Sequence, residues 1–296
     1  MVKLVCDILL PSLEIASVYG LAVLAVLVAF RIANFADLTI DGSFTLGGAV
    51  GAVALVNGVP SSVALLLGIL GGAIAGVCTA LLHTRIAVNR LLAGIITMTV
   101  LYSVNLRLMG RSNTSLAGIG VIFDLFPAGP RRIACGVVLM LLVALLLLAL
   151  LRTDLGHFAR AAGENPKVVV RRGYTEESLL LVSLPLANAL AGLAGGLVAQ
   201  QQGFADVGMG TGIVIMCLAA LLLGEAVLPP RNLQRLLGAG LIGMLLYQVL
   251  VTVGLRLGLN PWDLKLITGA LLIGALVAKR YLLTRRGIAN IGSDPL

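Results

Sequence analysis

The sequence predicts an all-α, polytopic membrane protein with about nine transmembrane helices, and two observations support this fold class. First, 59% of the 296 residues are hydrophobic and only 11% are charged, whereas a soluble domain carries about 25% charged residues. Second, the apolar residues form segments near the length of about 20 residues that crosses a bilayer. We therefore expect a single membrane domain, residues 1–296, without a soluble domain attached.

Nine apolar segments are predicted to span the membrane. The first contains Glu14 and is followed by no clear cleavage site, so we interpret it as a retained helix rather than a signal peptide. In chain order the segments are residues 13–30, 40–56, 62–82, 91–109, 133–151, 179–200, 210–228, 236–255 and 264–281.

Glycine is unusually frequent, with 36 residues. Glycine lets membrane helices approach each other closely, and several glycines lie four residues apart, on one helix face. We expect tight helix contacts at these positions, with chance spacing in a glycine-rich chain as the alternative. They are Gly68, Gly72 and Gly76; Gly192 and Gly196; and Gly208 and Gly212.

The basic residues predict the orientation, because cytoplasmic loops of membrane proteins are enriched in Lys and Arg. Residues 152–177 are rich in basic residues and are therefore predicted to be cytoplasmic, as is the C-terminus. Counting spans backwards then places the N-terminus outside. Arg131 and Arg132 fall on the outer side and are exceptions. The net charge of +8 fits this loop pattern, and no nucleic-acid partner is expected.

Residues 34–48 bring polar side chains into an apolar stretch. Asp37 and Asp41 stand out, because a carboxylate within a membrane is costly and usually faces a cavity or a partner. Gly42, Gly47 and Gly48 would loosen a helix here. We therefore predict a discontinuous second helix.

A second segment repeats part of this pattern. The tripeptide Phe-Ala-Asp occurs at residues 35–37 and again at residues 204–206, and both copies precede glycines and an apolar run. The predicted orientation puts the two copies on opposite sides of the membrane. This suggests pseudo-symmetric inverted halves, as in many transporters, although three identical residues also fit coincidence.

The cytoplasmic loop predicts two short capped helices. Asp154 can cap the first and Gly163 can end it, while Asn165 can cap the second and Gly173 can end it. The first helix would present a small apolar surface around Phe158, flanked by charge. This pattern favours a docking element, and an interfacial amphipathic loop without a partner is the alternative.

Four stretches resemble a known family, and the resemblance runs over nearly the whole chain. Residues 156–166 (GHFARAAGENP) resemble the coupling loop of ABC-importer permeases of the branched-chain amino acid and ribose type, and residues 34–44 (NFADLTIDGSF) are similar to a motif after that family's first core helix. Residues 91–99 and 256–268 look closer to a subgroup labelled putative tryptophan/tyrosine, or uncharacterised, ABC permeases. Residues 224–231 depart from the glycine- and serine-rich turn of many relatives.

The resemblance implies a permease in the bacterial inner membrane that moves a small solute, an amino acid or a related compound, into the cytoplasm. The implied partners are an ATPase dimer that binds ATP and Mg, a second copy of this permease, a periplasmic or lipid-anchored binding protein, and membrane lipid. The chain itself has no Gly-Lys pair and thus no phosphate-binding loop, so we expect no cofactor on it. The residues expected to contact the ATPase are Leu155, His157, Phe158, Arg160, Ala161, Gly163, Glu164 and Asn165.

Polar residues within apolar helices are the candidates for the translocation path. Each has an alternative role: Ser and Thr often bond to their own helix, Asn can hold helices together, and Asp can cap a helix N-terminus. The candidates are Asp37, Asp41, Ser43, Thr97, Thr99, Asn105 and Asn188.

Other functions are less well supported by the sequence. The four cysteines share no metal-binding spacing, and no catalytic motif of a hydrolase or metalloprotease occurs, so we expect neither a metal site nor an enzyme. A secondary transporter or channel that works without an ATPase is the serious alternative. It could share inverted halves and broken helices, but it has no need of a cytoplasmic docking element.

Overall fold

A computed structural model describes residues 2–125, 129–164, 176–260 and 263–285. Within these ranges the chain forms ten α-helices, and a π-helical segment, Val28–Ile32, extends the first. The helices are α1 (Val2–Leu27), α2 (Thr39–Val56), α3 (Ser61–Thr84), α4 (Arg90–Met109), α5 (Pro130–Leu151), α6 (Asp154–Glu164), α7 (Glu176–Gln202), α8 (Ile213–Val227), α9 (Leu233–Arg256) and α10 (Leu264–Arg285).

Two short strands pair at one end of the bundle. Strand β1 (Asn113–Ser115) lies antiparallel to β2 (Phe204–Asp206), with Thr114 opposite Ala205. A 3₁₀ turn, Ile122–Leu125, follows β1. The strands therefore join the connection between α4 and α5 to the connection between α7 and α8.

The all-α polytopic membrane fold is confirmed, whereas the count of nine spans is not. Each predicted span overlaps one of the helices, and seven helices within the described residues are long and apolar enough to cross a membrane. Two predicted spans fall short of that criterion. Helix α8 has only 15 residues, and the described side chains of α10 allow only the shorter apolar helix Lys265–Gly274 to be assessed.

The predicted discontinuity of the second helix is wrong in its position. Helix α2 runs without a break from Thr39 to Val56, and the non-helical residues are 33–38, before it. The helix begins at Thr39 because the Oδ1 atom of Asp37 accepts a hydrogen bond from the Thr39 N–H at 2.9 Å, which satisfies one of the free donors at a helix start. Asn34 turns the chain with a φ of 49°.

Helices α2, α3 and α7 form the most tightly packed part of the molecule, and glycine makes that packing possible. A Cβ atom at Gly47 would overlap the carbonyl of Gly192, and one at Gly72 would overlap the carbonyl of Asn188. The predicted close contacts of α3 and α7 are therefore present. Gly208 and Gly212 were expected in a helix contact, but both lie in the turns before α8, where a Cβ at Gly212 would meet nothing within 4 Å.

The helix that precedes each Phe-Ala-Asp copy packs against the opposite half of the chain. Helix α1 packs against α8 and α9, while α7 packs against α2 and α3. The two halves are thus interlocked through their first helices.

The connection between α7 and α8 descends along α2 into the bundle. Ala205 packs in a buried cluster with Ala52 and Leu55, near the end of α2, whereas the Val214 N–H bonds to Asp41, near its start. Leu55 lies fourteen positions after Asp41, which corresponds to about 21 Å along the helix. Helix α8 therefore begins deep in the protein rather than at its surface.

Candidate functional site

A buried polar cluster lies where α2, α3, α4 and α7 meet, and it consists of Asp37, Thr39, Ser43, Thr79, Thr97 and Asn188. Asn188 is the thirteenth of the 27 residues of α7, and it packs against Gly72, the twelfth of the 24 residues of α3. The cluster is therefore about halfway along these two spanning helices.

Asn188 links two polar side chains of the cluster. Its Nδ2 atom donates to Asp37 Oδ2 at 2.7 Å, and its Oδ1 atom accepts from Ser43 Oγ at 2.7 Å. The same Nδ2 atom also donates to the Leu184 carbonyl at 3.0 Å. Because a hydroxyl donates on one side and a carboxylate accepts on the other, the orientation of the amide is fixed.

Three threonines form the second part of the cluster. The Oγ1 atoms of Thr39 and Thr79 are 2.6 Å apart, and Thr79 Oγ1 donates to Thr97 Oγ1 at 3.0 Å. Thr39 and Thr79 were not among the predicted site residues. The signal for Thr79 was weak, because a lone threonine next to the glycine face of α3 also fits a hydroxyl that bonds to its own helix.

Asp41 has a different role from the cluster, because its carboxylate caps α8. Oδ2 accepts from the Gly212 N–H at 2.9 Å and Oδ1 accepts from the Val214 N–H at 2.8 Å. Thr45, one turn further along α2, accepts from the Gly210 N–H at 3.0 Å. A negative charge at a helix N-terminus is favourable, so these contacts hold the start of α8 against α2.

The remaining two path candidates lie apart from the cluster. Asn105 is buried, and its Nδ2 atom approaches the Gly42 carbonyl at 3.4 Å, while its Oδ1 atom has no hydrogen-bond partner among the described residues. Thr99 is exposed and bonds to the carbonyl of Ile95 in its own helix at 2.8 Å. The structure therefore brings together Asp37, Ser43, Thr97 and Asn188, but not Asp41, Thr99 or Asn105.

The cluster is closed in this conformation. Asp37, Thr39, Ser43, Thr79 and Asn188 each have 0% exposure, and their hydrogen bonds satisfy one another. Chemically it offers a carboxylate, an amide and hydroxyls in an otherwise apolar interior, which could replace the hydration of a polar solute. A solute could reach these groups only if the surrounding helices separate.

Helix α6 lies at the end of the bundle that is remote from the strands. It packs against α5, α7 and the π-helical segment, with Ala159 buried and Gly156 against the backbone of Leu151. His157 is exposed, and Phe158 and Arg160 are partly buried. An Arg160 Nη2 atom lies 2.6 Å from His157 Nδ1.

The predicted end of this helix needs a correction. Gly163 is helical, and α6 continues to Glu164, the last residue described before the gap. The structure also places the backbone of Leu155 and Ala161 in α6. Asn165 and the predicted second short helix lie outside the described residues.

The π-helical segment, which packs against α6, contacts α8 through an ion pair. Arg31 lies in this segment, and its Nη2 atom is 2.6 Å from Glu225 Oε2 near the end of α8. Contacts therefore run from α6 through the π-helical segment to α8, and from the start of α8 to Asp41.

Comparison with protein families gives a match over most of the chain. The model of the family described as "Branched-chain amino acid transport system / permease component" matches residues 8–276. No solved structure gives a significant match to this chain.

Individual relatives agree with the family match. A tyrosine transport system permease protein of Clostridioides difficile is 33% identical over 88% of this chain and 87% of its own length. An uncharacterized protein of Rickettsia prowazekii is 32% identical over 90% of this chain and 95% of its own length. A probable branched-chain amino acid transport permease protein, LivH, of Methanocaldococcus jannaschii is 33% identical over 49% of this chain and 45% of its own length.

Proposed function

Because the chain belongs to the family of permease components of branched-chain amino acid transport systems, we propose that it is the membrane-spanning subunit of an ATP-binding-cassette importer. Members of this family are transport subunits rather than enzymes. The proposed cargo is an amino acid or a related small solute that moves into the cytoplasm. The relative from C. difficile, whose name specifies tyrosine transport, supports an amino acid.

The observation that carries this proposal is the position of α6. It is a short helix outside the spanning bundle, with His157 exposed and Phe158 and Arg160 partly exposed beside it. Its opposite side, at Gly156 and Ala159, is fixed against the bundle. A helix that is anchored on one side and open on the other suits a contact with a separate subunit, here the ATPase.

Movement of α6 has a physical route to the polar cluster. Helix α6 packs on the π-helical segment, Arg31 of that segment pairs with Glu225 of α8, and the start of α8 is bound to Asp41 of α2. We propose that closure of the ATPase dimer on ATP shifts α6 and α8 as packed elements. That shift would separate α4, which carries Thr97, from α2, α3 and α7 and so open the polar cluster to the solute.

The proposed complex contains two copies of this chain, two ATPase subunits that bind ATP and Mg, and a binding protein that delivers the solute. The exposed face of α4 supports a contact with a second copy. Thr99, Ser103 and Arg107 lie four residues apart on that face, and we name them the α4 polar stripe. Since polar groups that face lipid are costly, the stripe is better explained by a wet contact between two permeases than by lipid.

The two halves of the chain are proposed to be inverted repeats. In both Phe-Ala-Asp copies the aspartate bonds to the backbone N–H two residues later: Asp37 to Thr39 at 2.9 Å and Asp206 to Gly208 at 2.8 Å. Helices α1 and α7, which precede the two copies, each pack against the opposite half of the chain, as inverted repeats would. The proposed orientation in a bacterial inner membrane has α6 and the C-terminus in the cytoplasm and the N-terminus outside.

Replacing Phe158 and Arg160 together by alanine tests the assignment. We expect ATP-driven uptake of labelled leucine or tyrosine into vesicles to fall about tenfold or more, since a few central residues dominate most interfaces. The amount of protein in the membrane should stay unchanged. The matched control is the double replacement of Phe204 and Arg111 by alanine, which removes an exposed Phe and an exposed Arg from the opposite end.

The outcome also separates the alternative function. If the purified chain alone moves leucine or tyrosine down a gradient, and no ATPase co-purifies with it, it is a secondary transporter or channel. Normal uptake and ATPase binding by the Phe158 and Arg160 variant would show that α6 is not the docking helix.

A further inference from the structure

A polar cavity lies at the end of the molecule opposite α6, and the polar cluster does not contribute to it. Its volume is about 480 Å³, and it opens between residues 116–124, Arg132 at the start of α5, and the Gln200–Gly203 end of α7. Ligand pockets for small molecules commonly have volumes of about 300 to 1,000 Å³. The cavity is therefore large enough for one amino acid.

Gln200 supplies a hydrogen-bond donor that has no partner. This side chain is only 2% exposed, and its Oε1 atom accepts from the Ile122 N–H at 2.9 Å. Because a backbone N–H can only donate, the oxygen must face Ile122 and the orientation of the amide is fixed. The Nε2 atom is buried without a hydrogen-bond partner among the described residues, which is costly unless something else binds there.

Arg132 supplies a positive charge next to this amide. Its guanidinium group lies over the ring of Phe123, with 5.0 Å to the ring centroid, and its Nε atom makes no hydrogen bond within the described part of the chain. The nearest carboxylate oxygen, Glu14 Oε1, is 3.7 Å from Nε, which is too far for a hydrogen bond. A guanidinium in this state has donors left for another carboxylate.

Asp124 supplies the opposite charge at the same cavity. Its Oδ2 atom accepts from the Val121 N–H at 2.8 Å, which fixes the carboxylate while leaving it exposed to the cavity. The site thus combines a cation and an amide donor with an anion. This set is complementary to a carboxylate and an ammonium group on one small molecule.

We infer that this cavity binds the α-carboxylate and α-ammonium groups of a free amino acid, the carboxylate on Arg132 and Gln200 and the ammonium on Asp124. The inference rests on the proposed function, which makes an amino acid the cargo. It gives the permease a recognition site of its own, ahead of the closed polar cluster. It would also explain why Arg132 lies on the side that the basic loops predict to be outside, where arginine is otherwise unexpected.

Binding to the purified full-length chain in lipid nanodiscs tests the site. L-tyrosine and L-leucine are the probes, and tyramine and N-acetyl-L-tyrosine are matched compounds that lack the carboxylate and the ammonium group. We expect the two amino acids to raise the melting temperature and the two matched compounds to leave it unchanged. Arg132→Gln and Gln200→Leu should each raise the Kd about tenfold or more, since hydrogen bonds to charged groups are among the strong ones.

Two control variants lie outside the cavity. Arg131→Gln removes the neighbouring exposed arginine, and Gln248→Leu removes another buried glutamine, in α9. Neither should change the Kd. The inference is overturned if the wild-type chain binds neither amino acid, if tyramine binds as tightly as tyrosine, or if Arg132→Gln and Gln200→Leu bind like the wild type.

A parallel measurement separates this inference from the proposed function. If the full complex imports leucine or tyrosine with ATP, and the Arg132 and Gln200 variants bind and import normally, the cavity assignment fails while the importer function stands. If the chain binds amino acids in the cavity but the complex with its ATPase imports none, the importer function fails and the cavity assignment stands.

Discussion

At the scale of single residues, Asn188 organises the interior. One amide side chain donates to the buried Asp37 carboxylate and accepts from the Ser43 hydroxyl, both at 2.7 Å. Buried carboxylates are tolerated only with such partners. Asn188 thus ties α7 to the start of α2, and the loss of its amide would leave two polar groups unsatisfied.

Replacing Asn188 by leucine should therefore destabilise the protein. The side chain keeps its branched shape, but Asp37 and Ser43 each lose a partner, so the free energy of unfolding should fall by about 2 kcal/mol or more. Thermal melting of the detergent-purified protein measures this. Thr84→Val is the control, because the Thr84 hydroxyl bonds only to the Ala80 carbonyl of its own helix. If the two variants melt at the same temperature, Asn188 does not have this role.

At the scale of helices, the close approach of α2, α3 and α7 is the dominant feature. The backbones touch where glycines face each other, as at Gly47 and Gly192. Without a large hydrophobic driving force between helices in lipid, such packing supplies much of the association energy. Each contact is possible only because glycine has no Cβ atom.

Two glycines of α2, one turn apart, give a matched test of this packing. Gly47→Ala should be severely destabilising, since its Cβ would overlap the Gly192 carbonyl, and overpacking costs about 1–3 kcal/mol or more. Gly51→Ala should be neutral or stabilising by up to about 1 kcal/mol, because its nearest neighbour, the Gly196 Cα atom, is 3.8 Å away. Expression level and melting temperature report both effects, and similar behaviour of the two variants would contradict the argument.

The sequence predicted the helices better than the site. Long apolar runs identify spans directly, and the four-residue glycine spacing indicated the contact face of α3. The cap of α8 could not be predicted, because Asp41 and Val214 are 173 positions apart and hydropathy carries no information on such pairs. Similarly, nothing local distinguishes Thr79 in the polar cluster from Thr99, which bonds to its own helix.

At the scale of the whole molecule, the exposed surface differs from helix to helix. The exposed side of α5 presents large apolar residues such as Leu142 and Leu145, as expected for contact with lipid. The exposed side of α4 carries Thr99, Ser103 and Arg107 among its apolar residues. The two faces should therefore meet different surroundings in the assembled transporter.

Cysteine cross-linking in native membranes tests this difference. In a background without the native cysteines, Ser103→Cys or Thr99→Cys should form a disulfide-linked dimer. The proposed contact brings the α4 faces of two copies together, and a disulfide forms only between cysteines whose Cα atoms are within about 7 Å. Leu145→Cys on α5 should stay monomeric. A dimer from Leu145→Cys, with none from the two α4 positions, would mean that the second copy binds a different face.

The glycine contacts of α2, α3 and α7 also determine which parts of the protein can move. Where main chains touch directly, no side chain is available to change rotamer and absorb a displacement, so these three helices must shift as one rigid body. A transport cycle then has to use boundaries made of longer, adaptable side chains, such as the Arg31–Glu225 ion pair and the leucines around α8. The protein would therefore behave as a stiff frame against which α8 and α6 slide.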